Sequence, residues 1–196
     1  MKRVGIFLFN DIELMDFAGP YEVFSVAGEI EDDQLFSVFT ITADGGEIRS
    51  VNGLRVVPDY AFSNHPPIDI LIVPGGNGTR VEMENEQVIN WLKARNETSE
   101  ITMSVCSGTR LLGKAGLLDN LKIVTHHEVI PDMQTIAPLA VIEKQARFTD
   151  NGKIVTSAGI AAGIDLSLYV VAKLYGKAVA DKTAVYMEYG NWKELI

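Results

Sequence analysis

The one cysteine of this chain, Cys106, stands where a short apolar run, Ile101–Val105, gives way to Ser107-Gly108 and then to Leu111, Leu112, Ala115 and Leu118 at helical spacing. Small residues on a strand-to-helix boundary allow the sharp turn that pushes a nucleophile toward a pocket, and Gly108 permits close backbone approach there. The pattern predicts that Cys106 is exposed at this turn, with the helix dipole and free backbone N–H groups favouring thiolate over thiol. Its competing role is that of a small buried hydrophobe. Asp16, among Leu14, Met15 and Phe17, reads as a partly buried carboxylate with two open roles. It caps the helix that follows, or it faces Cys106. In the second role an ionised carboxylate would oppose the thiolate, so Asp16 would have to be protonated by burial and act as a proton donor.

Other chemistry-bearing residues group around these two. Pro74-Gly75-Gly76 ends an apolar run, so the N–H groups of Gly75 and Gly76, with that of Ser107, are expected to bind developing negative charge. A plain turn is the alternative for that tripeptide. His126 and His127 follow the cysteine by about twenty residues; adjacent histidines without a nearby Cys or patterned carboxylate exclude a metal site, which leaves His126 to line the pocket or move a proton. Gly108 and Ile160 are also expected on the pocket wall, and His65, in SNHPP, on the surface. The segment TSAGIAAGIDLSLYVV reads as tight helix packing, and the chain has no phosphate-binding or dinucleotide fingerprint, so no cofactor is expected.

The elements that must position these residues alternate. Buried-strand runs fall at residues 4–9, 35–43, 68–73, 101–105, 122–125 and 154–156, and helical patterns at 17–30, 86–94, 111–118, 160–175 and 179–189. Pro20 is placed in the first turn of its helix. Asn52-Gly53 and Asn151-Gly152 mark hairpins. This order predicts an α/β fold, a mostly parallel sheet with helices on both faces and ligands gathered beyond the carboxyl ends of the strands. Asp16, Gly75-Gly76 and Cys106 all fall at such ends.

With 196 residues, 47% of them hydrophobic, the chain supports one substantial core and is read as a single domain over 1–196. Twenty-six acidic against seventeen basic residues give a formal charge of −9, which argues against nucleic acid and anionic membrane as partners and for a small molecule. The apolar run near the N-terminus is six residues, broken by Asn10 and Asp11, and reads as a first strand and not as a signal peptide. No run approaches the length of a membrane span, and a lone cysteine fits a reducing compartment, so a cytoplasmic location is expected.

Taken together, MDFAGPYEVF, ILIVPGG, SVCSGTRLLGKAGLLD, VTHH and TSAGIAAGIDLSLYVV resemble the ThiJ/PfpI superfamily of class I glutamine-amidotransferase-like proteins along essentially the whole chain. Asp16 in D-x-A-G-P-x-E-V-F combined with C-S-G-T most resembles the isonitrile hydratase branch, which is itself similar to the sensor halves of AraC-type regulators. The resemblance implies a flavodoxin-like three-layer sandwich and a homodimer. It makes Cys106 the nucleophile, Asp16 its carboxylate partner, and Gly75 and Ser107 backbone donors. Peptidase-like relatives carry a histidine directly after the cysteine, where this chain has Ser107. Chaperone and glyoxalase relatives carry a glutamate on the first helix, where Asp16 stands. Hydratase relatives often have tryptophan after the His126 position, so His127 is expected to alter the pocket wall.

The resulting expectation is a cofactor-free, cysteine-dependent hydration of an isonitrile to an N-substituted formamide. The isonitrile carbon must accept a proton and a nucleophile, which a carboxylic acid beside a thiolate supplies. The alternatives are a glyoxalase-, deglycase- or amidase-like activity on small substrates through the same sulfur, and a non-catalytic ligand- or redox-sensing module. Such regulators carry a helix-turn-helix after the sensor half; the chain ends at Ile196 without a basic segment, so a DNA-binding role is not expected.

Overall fold

Strands buried on both faces read as near-continuous apolar runs, and the two at the centre of this protein are ILIV and ITMSV, the second carrying the small polar residues Thr102 and Ser104. Ile70–Val73 is fully buried, and Ile101–Val105 beside it is buried throughout. The computed structural model describes residues 1–32 and 35–195; Asp33, Gln34 and Ile196, which the expected range 1–196 includes, lie outside the described residues.

In chain order the elements are β1 (Lys2–Phe7), α1 (Leu14–Glu29), β2 (Phe36–Thr42), β3 (Ile48–Arg49), β4 (Arg55–Val56), β5 (Tyr60–Ala61) and β6 (Ile70–Val73). There follow α2 (Thr79–Glu82), α3 (Glu86–Thr98), β7 (Ile101–Val105), α4 (Thr109–Lys114), β8 (Lys122–Ile123), α5 (Ile130–Ile136) and β9 (Val141–Ile142). The chain continues through β10 (Phe148–Asp150), β11 (Ile154–Ser157), α6 (Ala162–Tyr175) and α7 (Lys177–Tyr186). The main sheet runs β10-β11-β7-β6-β1-β2-β5 and is parallel except for β10, which pairs antiparallel with β11. Helices α1, α6 and α7 pack together as one layer, and α3, α4 and α5 meet through α4 in the other. This is a flavodoxin-like α/β sandwich with a mostly parallel sheet.

Of the boundaries that differ from the sequence reading, three have a physical cause in the contacts. Helix α1 starts at Leu14, so Pro20 lies inside it and not in its first turn. The extra turn is fixed from outside, by the Glu13 N–H on Gly75 O at 2.9 Å, a partner 62 residues away that local pattern does not reveal. The hairpin around Asn52-Gly53 has arms of only two residues, and Tyr60–Ala61 leaves it to become the parallel edge strand beside β2. There the Asp59 carboxylate accepts from both the N–H and the hydroxyl of Thr40, each at 2.8 Å, which pins the edge. The run 122–125 is a strand only over Lys122–Ile123, paired with β9 outside the main sheet, because the Val124 N–H turns to Thr156 Oγ1 at 2.7 Å. Among the described residues, no helix is long and apolar enough to cross a membrane.

Candidate active site

Cys106 follows the last residue of β7 and opens a 3-10 turn, Cys106–Gly108, that runs into α4. Its φ is 56°, in the left-handed region that costs a non-glycine residue about 1–3 kcal/mol and persists only where surrounding contacts hold it. Those contacts are present. The Cys106 N–H donates to Ala158 O at 3.2 Å, and its carbonyl accepts from Thr125 Oγ1 at 2.9 Å. Thr109 Oγ1 lies 2.7 Å from Thr125 Oγ1 and 3.3 Å from the same carbonyl, and its single proton goes to one or the other. Beneath the turn, a Cβ on Gly108 would overlap the carbonyl oxygen of Val73, so this position accepts only glycine.

The sulfur is less open than its sequence context suggested. Cys106 is 7% exposed, at the wall of a cavity of about 270 Å³ that Ser107, Gly76, His126 and Ile160 also line. Behind it lies Asp16, fully buried in α1. Asp16 does not cap its helix: Oδ2 accepts from the Gly75 N–H at 3.0 Å, Oδ1 accepts from the Ile160 N–H at 3.2 Å, and the carboxyl shares a hydrogen bond with the Cys106 thiol. Burial raises the Asp16 pKa to about 7, against the opposing pull of those bonds and with help from the nearby Glu13 charge.

Burial, then the facing carboxylate, also pushes the Cys106 thiol up, to about 12, even though the N–H groups of Ser107 and Ile160 point at the sulfur and favour its anion. With Asp16 ionised, burial and the facing carboxylate favour keeping the proton on sulfur, the opposition expected of an ionised carboxylate at this place. Helix α4 is only six residues long, and its short dipole does not outweigh desolvation and a carboxylate. When the proton moves to Asp16 the opposing charge disappears and the two amides remain, so carboxyl and thiol form one coupled unit.

The Pro-Gly-Gly turn has a different role from the expected anion hole. The Gly75 N–H is bonded to Asp16, and the Gly76 N–H to Ser107 Oγ at 2.8 Å, so in this structure both amides already have partners. Gly75 is needed for proximity: a Cβ there would lie 2.5 Å from Ser107 N and 2.8 Å from Asp16 Oδ2. Gly108 is likewise not on the cavity wall; it supports the turn from below.

Ile160 was expected to line the cavity, and it does. It also holds φ at 51°, unusual for a β-branched side chain, and so presents its N–H to both Asp16 and Cys106. His126 lines the cavity with Nδ1 accepting from the Glu128 N–H at 3.3 Å, which leaves the ring's other nitrogen to carry its proton. His127 does not shape this cavity: its side chain is 80% exposed and turned outward. His65 is half-buried, its Nε2 accepting from Trp91 Nε1 at 3.2 Å, and is not a free surface residue. Among the described residues, no group of three His, Cys, Asp or Glu side chains is placed to share a metal ion.

Several wall residues escaped the sequence reading, chief among them Arg80, Arg110 and Glu13. Arg110 had a signal: it follows Cys106 by four residues, which places the two on one face once the segment is helical. Arg80 had none, since only the pairing of β6 with β7 brings it to the cysteine.

A mostly parallel α/β sandwich with a cysteine on a strained turn at the carboxyl edge of its sheet defines a flavodoxin-like protein with its cysteine at a strand-to-helix elbow. The chain belongs to the DJ-1/PfpI family, whose profile matches residues 2–173. It is 30% identical over 190 residues to the isonitrile hydratase of Pseudomonas putida, covering 95% of this chain and 78% of that protein. It is 27% identical to the HTH-type transcriptional regulator GbdR of Pseudomonas aeruginosa, covering 91% of this chain and 48% of the regulator. A solved ThiJ/PfpI family protein from Pseudomonas syringae superposes with a TM-score of 0.86 at 26% identity, covering 96% of this chain and 75% of that one.

Proposed function

We propose that the protein is a cysteine-dependent enzyme that hydrates an isonitrile to an N-substituted formamide. The observation that carries this reading is the buried Asp16–Cys106 pair, hydrogen-bonded to each other, with Cys106 on the wall of a small cavity and Asp16 behind it. The proton held between them passes to the terminal isonitrile carbon as Sγ bonds to that carbon, giving a thioimidate and leaving Asp16 ionised. Asp16 then takes a proton from water as the hydroxyl adds to the same carbon, and returns that proton to the imine nitrogen. Collapse of the tetrahedral adduct breaks the C–S bond, releases the formamide and restores the shared proton. Similarity to the P. putida hydratase supports the assignment.

The test is to incubate the purified protein with an alkyl isocyanide and follow formamide, alongside Cys106→Ala and Asp16→Asn. Formation by the native protein alone is expected; none above buffer rejects the substrate. Turnover of methylglyoxal without isocyanide turnover would instead place the same sulfur in carbonyl chemistry. A sensing module is the second reading, favoured by the 27% identity to GbdR, and is marked by ligand binding or sulfur oxidation without turnover. The family resemblance also supports a homodimer, which sedimentation tests.

A further inference from the structure

Two arginines on the cavity wall have no part in the chemistry described above. Arg110, with a side chain only 5% exposed, places Nε and one terminal nitrogen on Asp132 Oδ2 at 2.8 and 2.5 Å, and its other terminal nitrogen on Thr79 Oγ1 at 3.0 Å. Those bonds use three of its five N–H donors, and Arg110 is among the residues that line the cavity. Arg80, 59% exposed, reaches the same Asp132 oxygen at 3.4 Å. Two guanidinium groups thus share one carboxylate, so the Arg80–Arg110–Asp132 cluster keeps one net positive charge on a chain whose overall charge is −9.

The lining also carries two carboxylates. Glu13 is close enough to Asp16 to raise its pKa, and Glu128 is 77% exposed, beside His127. The arginines are thus the cationic part of the lining, and the Glu13 carboxylate belongs to the Asp16 side. A ligand with an uncharged electrophile and one anionic group fits it in a single direction, electrophile toward Cys106 and anion toward the arginines. Arg110 follows Cys106 by four residues through the 3-10 turn into α4, which separates the two by about 6 Å along the axis. The anion and the electrophilic carbon must then be joined by a short chain. Planar guanidinium forks match a carboxylate.

We propose that Arg80 and Arg110 form a carboxylate subsite, so that the molecule delivered to Cys106 is a short anionic one: within the hydratase reading, an isocyano-carboxylate and not a neutral alkyl isocyanide. The subsite rests on Cys106 being the attacking group, and not on which electrophile it attacks.

Two alkylating agents of nearly equal size test it without any turnover assay. Iodoacetate carries the carboxylate and iodoacetamide does not; in both, Sγ bonds to the CH₂ carbon as iodide leaves with the electron pair. Both draw on the same thiolate, so the ratio of their rates on the lone cysteine is independent of the thiol's ionisation. We expect that iodoacetate-to-iodoacetamide ratio to be at least 10-fold higher than for glutathione. Arg80→Gln should lower the ratio at least 5-fold, and Asp132→Asn, which removes the competing carboxylate, should leave it as high or raise it. A ratio no higher than that of glutathione, or one unmoved by Arg80→Gln, overturns the subsite and leaves the nucleophile reading intact. Labelling of Cys106 by neither reagent overturns both.

Discussion

Thr125 Oγ1 donates to the carbonyl of Cys106 across 2.9 Å, from nineteen residues further along the chain. The bond holds the carbonyl of the residue whose left-handed backbone carries the sulfur, with the Thr109 hydroxyl beside it. Replacing the hydroxyl by a methyl, in Thr125→Val, leaves that buried carbonyl short of a donor, at a cost of about 1–3 kcal/mol. The expected outcome is a lower denaturation midpoint together with slower alkylation of Cys106, both restored by Thr125→Ser. Loss of stability with unchanged alkylation would show that the bond does not orient the sulfur.

Asp16→Asn keeps the shape of the carboxyl but cannot exchange a proton or carry charge. Proton transfer by a positioned group contributes about 10²–10⁴-fold, so turnover should fall by that order. The thiol should move the other way. Without the facing carboxylate, the Cys106 pKa drops from its raised value, which a pH series of iodoacetamide labelling reads directly. An unchanged labelling profile would remove Asp16 as a cause of the high thiol pKa.

The same carboxyl ties stability to pH. In the folded chain its pKa is raised from 3.8 to about 7, so folding retains a proton that the unfolded chain releases. Stability from this source is complete below about pH 4 and is lost as pH rises through about 7, with an upper bound of about 4 kcal/mol. Denaturation midpoints should therefore fall between about pH 5 and 8 more steeply in the native protein than in Asp16→Asn. Parallel slopes would contradict the assignment.

Gly108→Ala drives a methyl into the carbonyl of Val73, at the point where β6 passes under the turn. Loss of several kcal/mol is expected, since neither backbone can yield without disturbing a buried strand. A variant with native stability would mean that the turn is looser than its contacts imply.

Much of this architecture is legible in one dimension. Fully buried strands announce themselves as unbroken apolar runs, and both hairpins carry their Asn-Gly signal. Asp16, Gly75 and Cys106 were placed at strand ends by alternation alone. Their hydrogen bonds were not, because partners such as Asp16 and Ile160 lie 144 residues apart. Whether the amides of Gly75 and Gly76 face a ligand or a neighbour, and whether His126 or His127 turns inward, is decided by packing. The surroundings of the Cys106 thiol divide in the same way: the helix start and the opposing carboxylate can be read from the sequence, while the desolvation of the sulfur exists only once the chain is folded.

Cys106 is the sole sulfhydryl of the chain. If peroxide converted it to a sulfenic acid, no second thiol in the same polypeptide could condense with it, so recovery would depend on a reductant from outside. That reductant must fit the cavity that Ile160 and His126 line, so the same walls that bound access to the sulfur would also govern its repair.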